Sequence, residues 1–154
     1  MLLDIPPTGH NSHRQSLKIA PNRWKSVLVA SIHKRKPTEL PMYCLYAFNG
    51  EMMCFVHVLL NTLDMKEKGK QVTIVFEGAA VKLVPELEKT DCPFHGLYIK
   101  AKEAGLIDGA CKACSSKLGV LDAVQAAGLP LLDDMSGHPS MAAYADKGYT
   151  IITF

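Results

Sequence analysis

Apolar and polar positions divide the chain near residue 42. Residues 42–48 form a short apolar run, aromatic rather than β-branched, that ends in Asn49-Gly50. Bounded by turn residues, it reads as a buried strand and its exit turn. Asn49 is placed to cap a helix over residues 50–67, with Glu51 in the first turn where the helix dipole favours negative charge. That helix carries Met52, Met53, Phe55, Val56, Val58, Leu59, Leu60 and Leu63, apolar on nearly every side. It needs cover from a sheet and from a second subunit. Gly69 ends it, and residues 72–76 (VTIVF) make a second strand leaving through Glu77-Gly78.

A short helical piece then runs to Val84, where Pro85 interrupts it. Residues 93–104 repeat apolar side chains at helical spacing, with Asp91 as a cap and Gly105 as the stop. Residues 106–110 predict a third strand, 112–118 and 121–126 two short helices, and 129–132 a fourth strand. Ser136 and Pro139 mark the start of a helix through Lys147, and residues 149–154 a fifth strand. Strands alternating with helices predict a three-layer α/β/α domain over 42–154 with a mainly parallel five-stranded sheet.

Residues 1–41 differ. They hold five of the nine prolines, with seven Lys/Arg against two Asp/Glu, while the remainder carries ten against thirteen. Apart from a helix-like patch at 24–32, this segment predicts a basic, poorly ordered arm. The overall charge of +2 conceals that asymmetry, and the mildly acidic domain predicts no nucleic-acid partner. No apolar run reaches the length of about 18 residues that a membrane span needs, and no signal peptide is evident. Five cysteines, two of them in a C-x-x-C, suit reactive or metal-binding thiols in the cytoplasm better than a disulfide framework.

Sites in open parallel sheets form beyond the carboxyl ends of the strands. The segments leaving the strands supply Asn49, Glu77, Cys111 to Cys114, and the stretch from Asp133 to His138. Cys111 stands where a strand hands over to a helix, so the helix dipole and free N–H groups favour its thiolate, and Lys112 adds positive charge. Cys114 follows one turn later, placed to resolve a sulfenate or persulfide on Cys111. Both thiols also suit plain burial as small apolar residues. Cys92-Pro93-Phe94-His95 and Cys111-Lys112-Ala113-Cys114 together give C-x₂-H-x₁₅-C-x₂-C, a spacing able to close a tetrahedral zinc site. Pro93 and His95 equally suit a plain helix start, and neither a metal nor a cofactor is expected. Cys44, Cys54 and His57 read as packing residues; Glu77 and His138 are ligand-binding candidates at the strand exits.

Residues 105–120 (GLIDGACKACSSKLGV) resemble the cysteine segment of the DsrE/DsrF-like family, which includes TusD-like sulfur-relay proteins. Residues 129–140 (LPLLDDMSGHPS) and 148–154 (GYTIITF) resemble one branch of it. The resemblance implies an α/β/α fold, a homo-oligomer, and sulfur carried as a persulfide on Cys111 between donor and acceptor proteins. Cys114 has no counterpart in the TusD-like motif, which leaves thiol–disulfide chemistry or metal binding open as alternatives.

Overall fold

The computed structural model describes residues 40–154. All but the last two residues of the expected arm, including the patch at 24–32, lie outside them. Five strands alternate with helices: β1 (Met42–Ala47), α1 (Met52–Glu67), β2 (Gln71–Phe76), a 3₁₀ turn (Gly78–Lys82), α2 (Leu83–Leu87), α3 (His95–Glu103), β3 (Ile107–Cys111), α4 (Lys112–Lys117), α5 (Leu121–Ala126), β4 (Leu131–Leu132), α6 (Met141–Asp146) and β5 (Tyr149–Thr153). The strands form one sheet in the order β4-β3-β2-β1-β5, parallel throughout. This is the expected three-layer α/β/α fold.

The layers follow from the strand order. From β1 to β4 the chain steps one way across the sheet, and right-handed crossovers in one direction keep their helices on one face. The step from β4 to β5 runs back past β1, so α6 falls on the other face. Alternate strand positions obey this division. Leu45, Ala47, Ile74 and Phe76 join one buried cluster with Phe55 and Leu59 of α1, Leu83 of α2, Tyr98 of α3 and Val124 of α5. Each such aliphatic or aromatic side chain contributes roughly 1.5–3 kcal/mol on burial. Cys44, Tyr46 and Val75 face the other way, and among the described residues only Tyr144 of α6 joins them as a buried residue. Rings tile this thinner layer: Tyr46 stacks on Phe48 at 5.9 Å and meets Tyr144 edge-on at 5.7 Å.

On α1 the predicted all-round apolar character resolves into two faces. Phe55, Val56, Val58, Leu59 and Leu63 are buried, whereas Met53 (65 % exposed) and Leu60 (46 %) point outward. β4 is shorter than the predicted 129–132, because Pro130 has no N–H to add to the ladder. The Pro130 carbonyl nevertheless accepts the Ala110 N–H at 2.9 Å. The two strands come so close here that a Cβ on Gly109 would lie 2.4 Å from the Pro130 oxygen. The predicted helix from Ser136 also starts late, at Met141. Ser136 (φ 51°) and Gly137 (φ 88°) are both left-handed and cannot be helical, and Ser140 caps the helix instead by accepting the Ala143 N–H.

Candidate functional site

Topology chooses where chemistry can gather. β3 exits toward α4 on one face and β4 exits toward α6 on the other. A crevice therefore opens at their carboxyl ends, the switch-point position at which open α/β sheets bind ligands. Cys111 is the last residue of β3 and also the cap of α4, its Sγ accepting the Cys114 N–H at 3.3 Å. Its carbonyl accepts the hydroxyl of fully buried Ser115 at 2.7 Å, which fixes the first turn.

Opposite stands the segment after β4. Met135-Ser136-Gly137-His138 is a tight turn: the His138 N–H donates to the Met135 carbonyl at 2.9 Å, and the Met135 N–H to the His138 carbonyl at 2.8 Å. Two successive positive φ angles give it the type I′ character that Ser-Gly permits. The Gly137 carbonyl accepts the Ala113 N–H at 2.9 Å, tying the turn to α4. That tie brings His138 to the thiols: its Nδ1 lies 3.2 Å from Cys111 Sγ and 3.9 Å from Cys114 Sγ. From the end of β2, Glu77 completes the group, its Oε1 3.2 Å from the same Nδ1. The four donor atoms all lie within 4.8 Å of one another.

The Cys111 side chain is fully buried, Cys114 half-buried, the Glu77 side chain 12 % exposed and the His138 side chain 39 % exposed. Burial pushes the Cys111 thiol up to about 12; the Cys114 N–H works against that, while the Cys114 thiol and the Glu77 charge add to it. Burial likewise raises the Glu77 carboxyl, and the hydrogen bond and charge of His138 pull it back part of the way. At neutral pH Cys111 therefore rests as a thiol, and forming its thiolate requires a proton acceptor or a cation at hand.

Two other sequence candidates stand apart from this cluster. Asn49 accepts the Glu51 N–H at 2.9 Å and shapes the entry to α1, while the helix itself is capped at Glu51 without a side-chain bond. Lys112 pairs with Asp133 at 2.7 Å, both about half exposed, which bridges the rims of the crevice. The C-x₂-H half of the spaced zinc pattern does not join the thiols either. His95 Nδ1 binds the Leu87 carbonyl at 2.8 Å, and Cys92 lines a cleft with Gly50, Glu51 and Met52 on the β1 side of the sheet. Helix α3 packs beside α1 instead.

Some features escaped the sequence reading. Tyr46 is buried and its hydroxyl has no hydrogen-bond partner among the described residues; burial raises its pKa, and Cys44, Glu77 and Asp134 add to that. Asp108, exposed on β3, accepts a hydrogen bond from the Tyr144 hydroxyl. An acid in the middle of a strand was the visible signal for this pair.

No family model matches the chain. The uncharacterized protein MJ0733 of Methanocaldococcus jannaschii is 35 % identical over 135 residues, covering 84 % of this chain and 98 % of that protein. A conserved protein of unknown function, BT1422 from Bacteroides thetaiotaomicron, has the same fold, with a TM-score of 0.54 and 20 % identity over 72 % of this chain and 94 % of that one. Among the described residues no helix is long and apolar enough to cross a membrane. The chain belongs to the same family as MJ0733.

Proposed function

We propose that this member of the MJ0733 family is a cytoplasmic, DsrE/DsrF-like sulfur carrier in which Cys111 receives sulfane sulfur as a persulfide and Cys114 resolves it. The supporting observation is a nucleophile beside its base: Cys111 Sγ sits at the start of α4, 3.2 Å from His138 Nδ1. His138 takes the Cys111 proton as the donor arrives. The resulting thiolate is stabilised by the imidazolium and by the Cys114 N–H, and Glu77 balances the imidazolium charge.

The thiolate attacks the outer sulfur of a donor persulfide. A Cys111 S–S bond forms, the donor's S–S bond breaks, and the donor leaves as a thiolate with no net oxidation. An acceptor thiolate then removes the terminal sulfur by the reverse exchange. When no acceptor is present, Cys114 attacks the inner sulfur, expels hydrosulfide, and leaves a Cys111–Cys114 disulfide for a cellular dithiol to reduce. Since Cys111 is buried, donors approach past half-exposed Cys114 and His138.

The cytoplasm is supported by five free cysteines, which persist in a reducing compartment. A homo-oligomer is supported by the outward Met53 and Leu60 of α1. Light scattering on the purified protein tests the second point, and a monomer at micromolar concentration removes it.

Intact mass after treatment with a sulfane-sulfur donor tests the carrier. A reductant-sensitive gain of one sulfur atom on the Cys111 peptide is expected, absent in Cys111→Ser and retained with slowed release in Cys114→Ser. If Cys111→Ser still loads, the assignment of carrier is wrong.

A further inference from the structure

We infer that Cys111, Cys114, His138 and Glu77 form a binding site for a divalent cation of the zinc class. In a tetrahedral ion with bonds of about 2.3 Å to sulfur and about 2.0–2.1 Å to nitrogen and oxygen, neighbouring ligand atoms stand about 3.5 Å (S···N) and about 3.3 Å (N···O) apart. Here the two S···N separations are 3.2 and 3.9 Å and the N···O separation is 3.2 Å. The whole quartet fits within 4.8 Å. Side chains from three separate segments of the chain thus place three of the six ligand–ligand separations, all those to His138 Nδ1, near tetrahedral values, with the other three inside 4.8 Å.

Hydrogen-bond counting leads to the same place. Two sulfurs and a carboxylate oxygen converge on a single ring nitrogen, and the Cys111 thiol has the Gly137 carbonyl, at 3.7 Å, as a second acceptor. One nitrogen either donates one proton or accepts one, so it cannot serve three partners well. A cation at the centre receives a lone pair from all four, which removes the competition.

The donor set selects the ion. Two thiolates and an imidazole are borderline-soft ligands that suit zinc and exclude magnesium and calcium, which take oxygen donors. The surroundings hold the ligands in place before any ion arrives. The Cys114 N–H supports Cys111 Sγ, the Ser115 hydroxyl fixes the Cys111 carbonyl, and the turn carrying His138 is bonded to α4 through Gly137.

A bound ion occupies both thiolates, so the metal-bound protein is unable to accept sulfur until the ion leaves. This regulatory consequence rests on the carrier reading, whereas the cation site does not. Glu77 is the harder donor and the natural position to open first.

The test uses the full-length, reduced, chelator-treated protein, titrated with zinc against a chromophoric chelator and separately loaded with cobalt(II). One ion per chain is expected, and cobalt should show thiolate-to-metal charge transfer with the intense visible bands of a tetrahedral site. Cys111→Ser should lose stoichiometric zinc. His138→Ala should bind more weakly, and Glu77→Gln should keep the charge-transfer band but yield zinc to the competitor sooner. Cys92→Ser and His95→Ala should bind like the parent.

Sub-stoichiometric zinc, a cobalt spectrum without charge transfer, or undiminished binding by both His138→Ala and Glu77→Gln overturns the site; the cobalt spectrum needs no variant to fold. The two readings fail separately. Zinc binding without sulfur loading of the metal-free protein sinks the carrier alone, and sulfur loading without zinc binding sinks the cation site alone.

Discussion

Two stretches of this molecule look alike on paper, Cys92 with His95 and Cys111 with Cys114, each a pair of metal-type side chains three residues apart at a helix start. The fold gives them opposite fates. Cys92 and His95 become part of the packing: His95 closes onto the Leu87 carbonyl, and its backbone N–H caps back to Cys92. Cys111 and Cys114 stand instead at the switch point of the sheet, facing Glu77 and His138 from distant parts of the chain. Spacing along a helix start supplies two donors at most. Which helix start matters is decided by strand order, because the exits of β3 and β4 diverge to opposite faces of the sheet.

Replacing cysteine by serine on either side should separate the two regions most strongly. Cys111→Ser should abolish sulfur loading and stoichiometric zinc, while Cys92→Ser should leave both unchanged, as read by intact mass and by metal titration. Equal losses from the two would mean that the regions do not differ as described.

Next in size is Gly137→Val, which puts a β-branched side chain at φ 88° and costs roughly 1–3 kcal/mol of local strain. The domain should still fold by circular dichroism. His138 should be displaced, so zinc affinity should fall by far more than the melting temperature suggests.

On the packing side the tests run through stability alone. Glu88, at the end of α2, accepts bonds from Lys102 at 2.6 Å and the Tyr98 hydroxyl at 2.7 Å. Burial pushes its carboxyl up, but these two partners pull it further down, below the ordinary carboxylate value. With a folded-state pKa below the unfolded one, its contribution is complete above the unfolded value, near pH 4.3, and fades as pH falls through the folded value. Glu88→Gln should therefore cost about 1–2 kcal/mol at neutral pH and lose less on acidification than the parent, measured by urea unfolding across that window. His95→Ala should cost about 1 kcal/mol through its lost bond to Leu87, with zinc and sulfur binding untouched. Lys112→Ala breaks only a half-exposed ion pair with Asp133 and should cost less than about 1 kcal/mol, although it borders the crevice.

Much of the fold was legible because its signals are local. The apolar runs at 42–48 and 72–76 mark β1 and β2, since strands buried on both faces are apolar throughout. Gly69, Gly105 and Gly148 stop helices where left-handed residues are needed. The start of α6 was misplaced at Ser136, because Ser-Gly-His-Pro suits a helix entry and a type I′ turn equally well. Only the bonds from Gly137 to α4 and between Met135 and His138 favour the turn.

Patterns within single elements already dictate the alternation of strands and helices, and with it an α/β sheet with Cys111 at a strand-to-helix junction. Each of these rests on residues within one element or its caps. That Glu77 and His138, 61 residues apart, meet the two thiols while His95 does not follows only from the folded arrangement. That outcome depends on the order in which strands lie side by side, a property of long-range pairing that no window of the sequence contains.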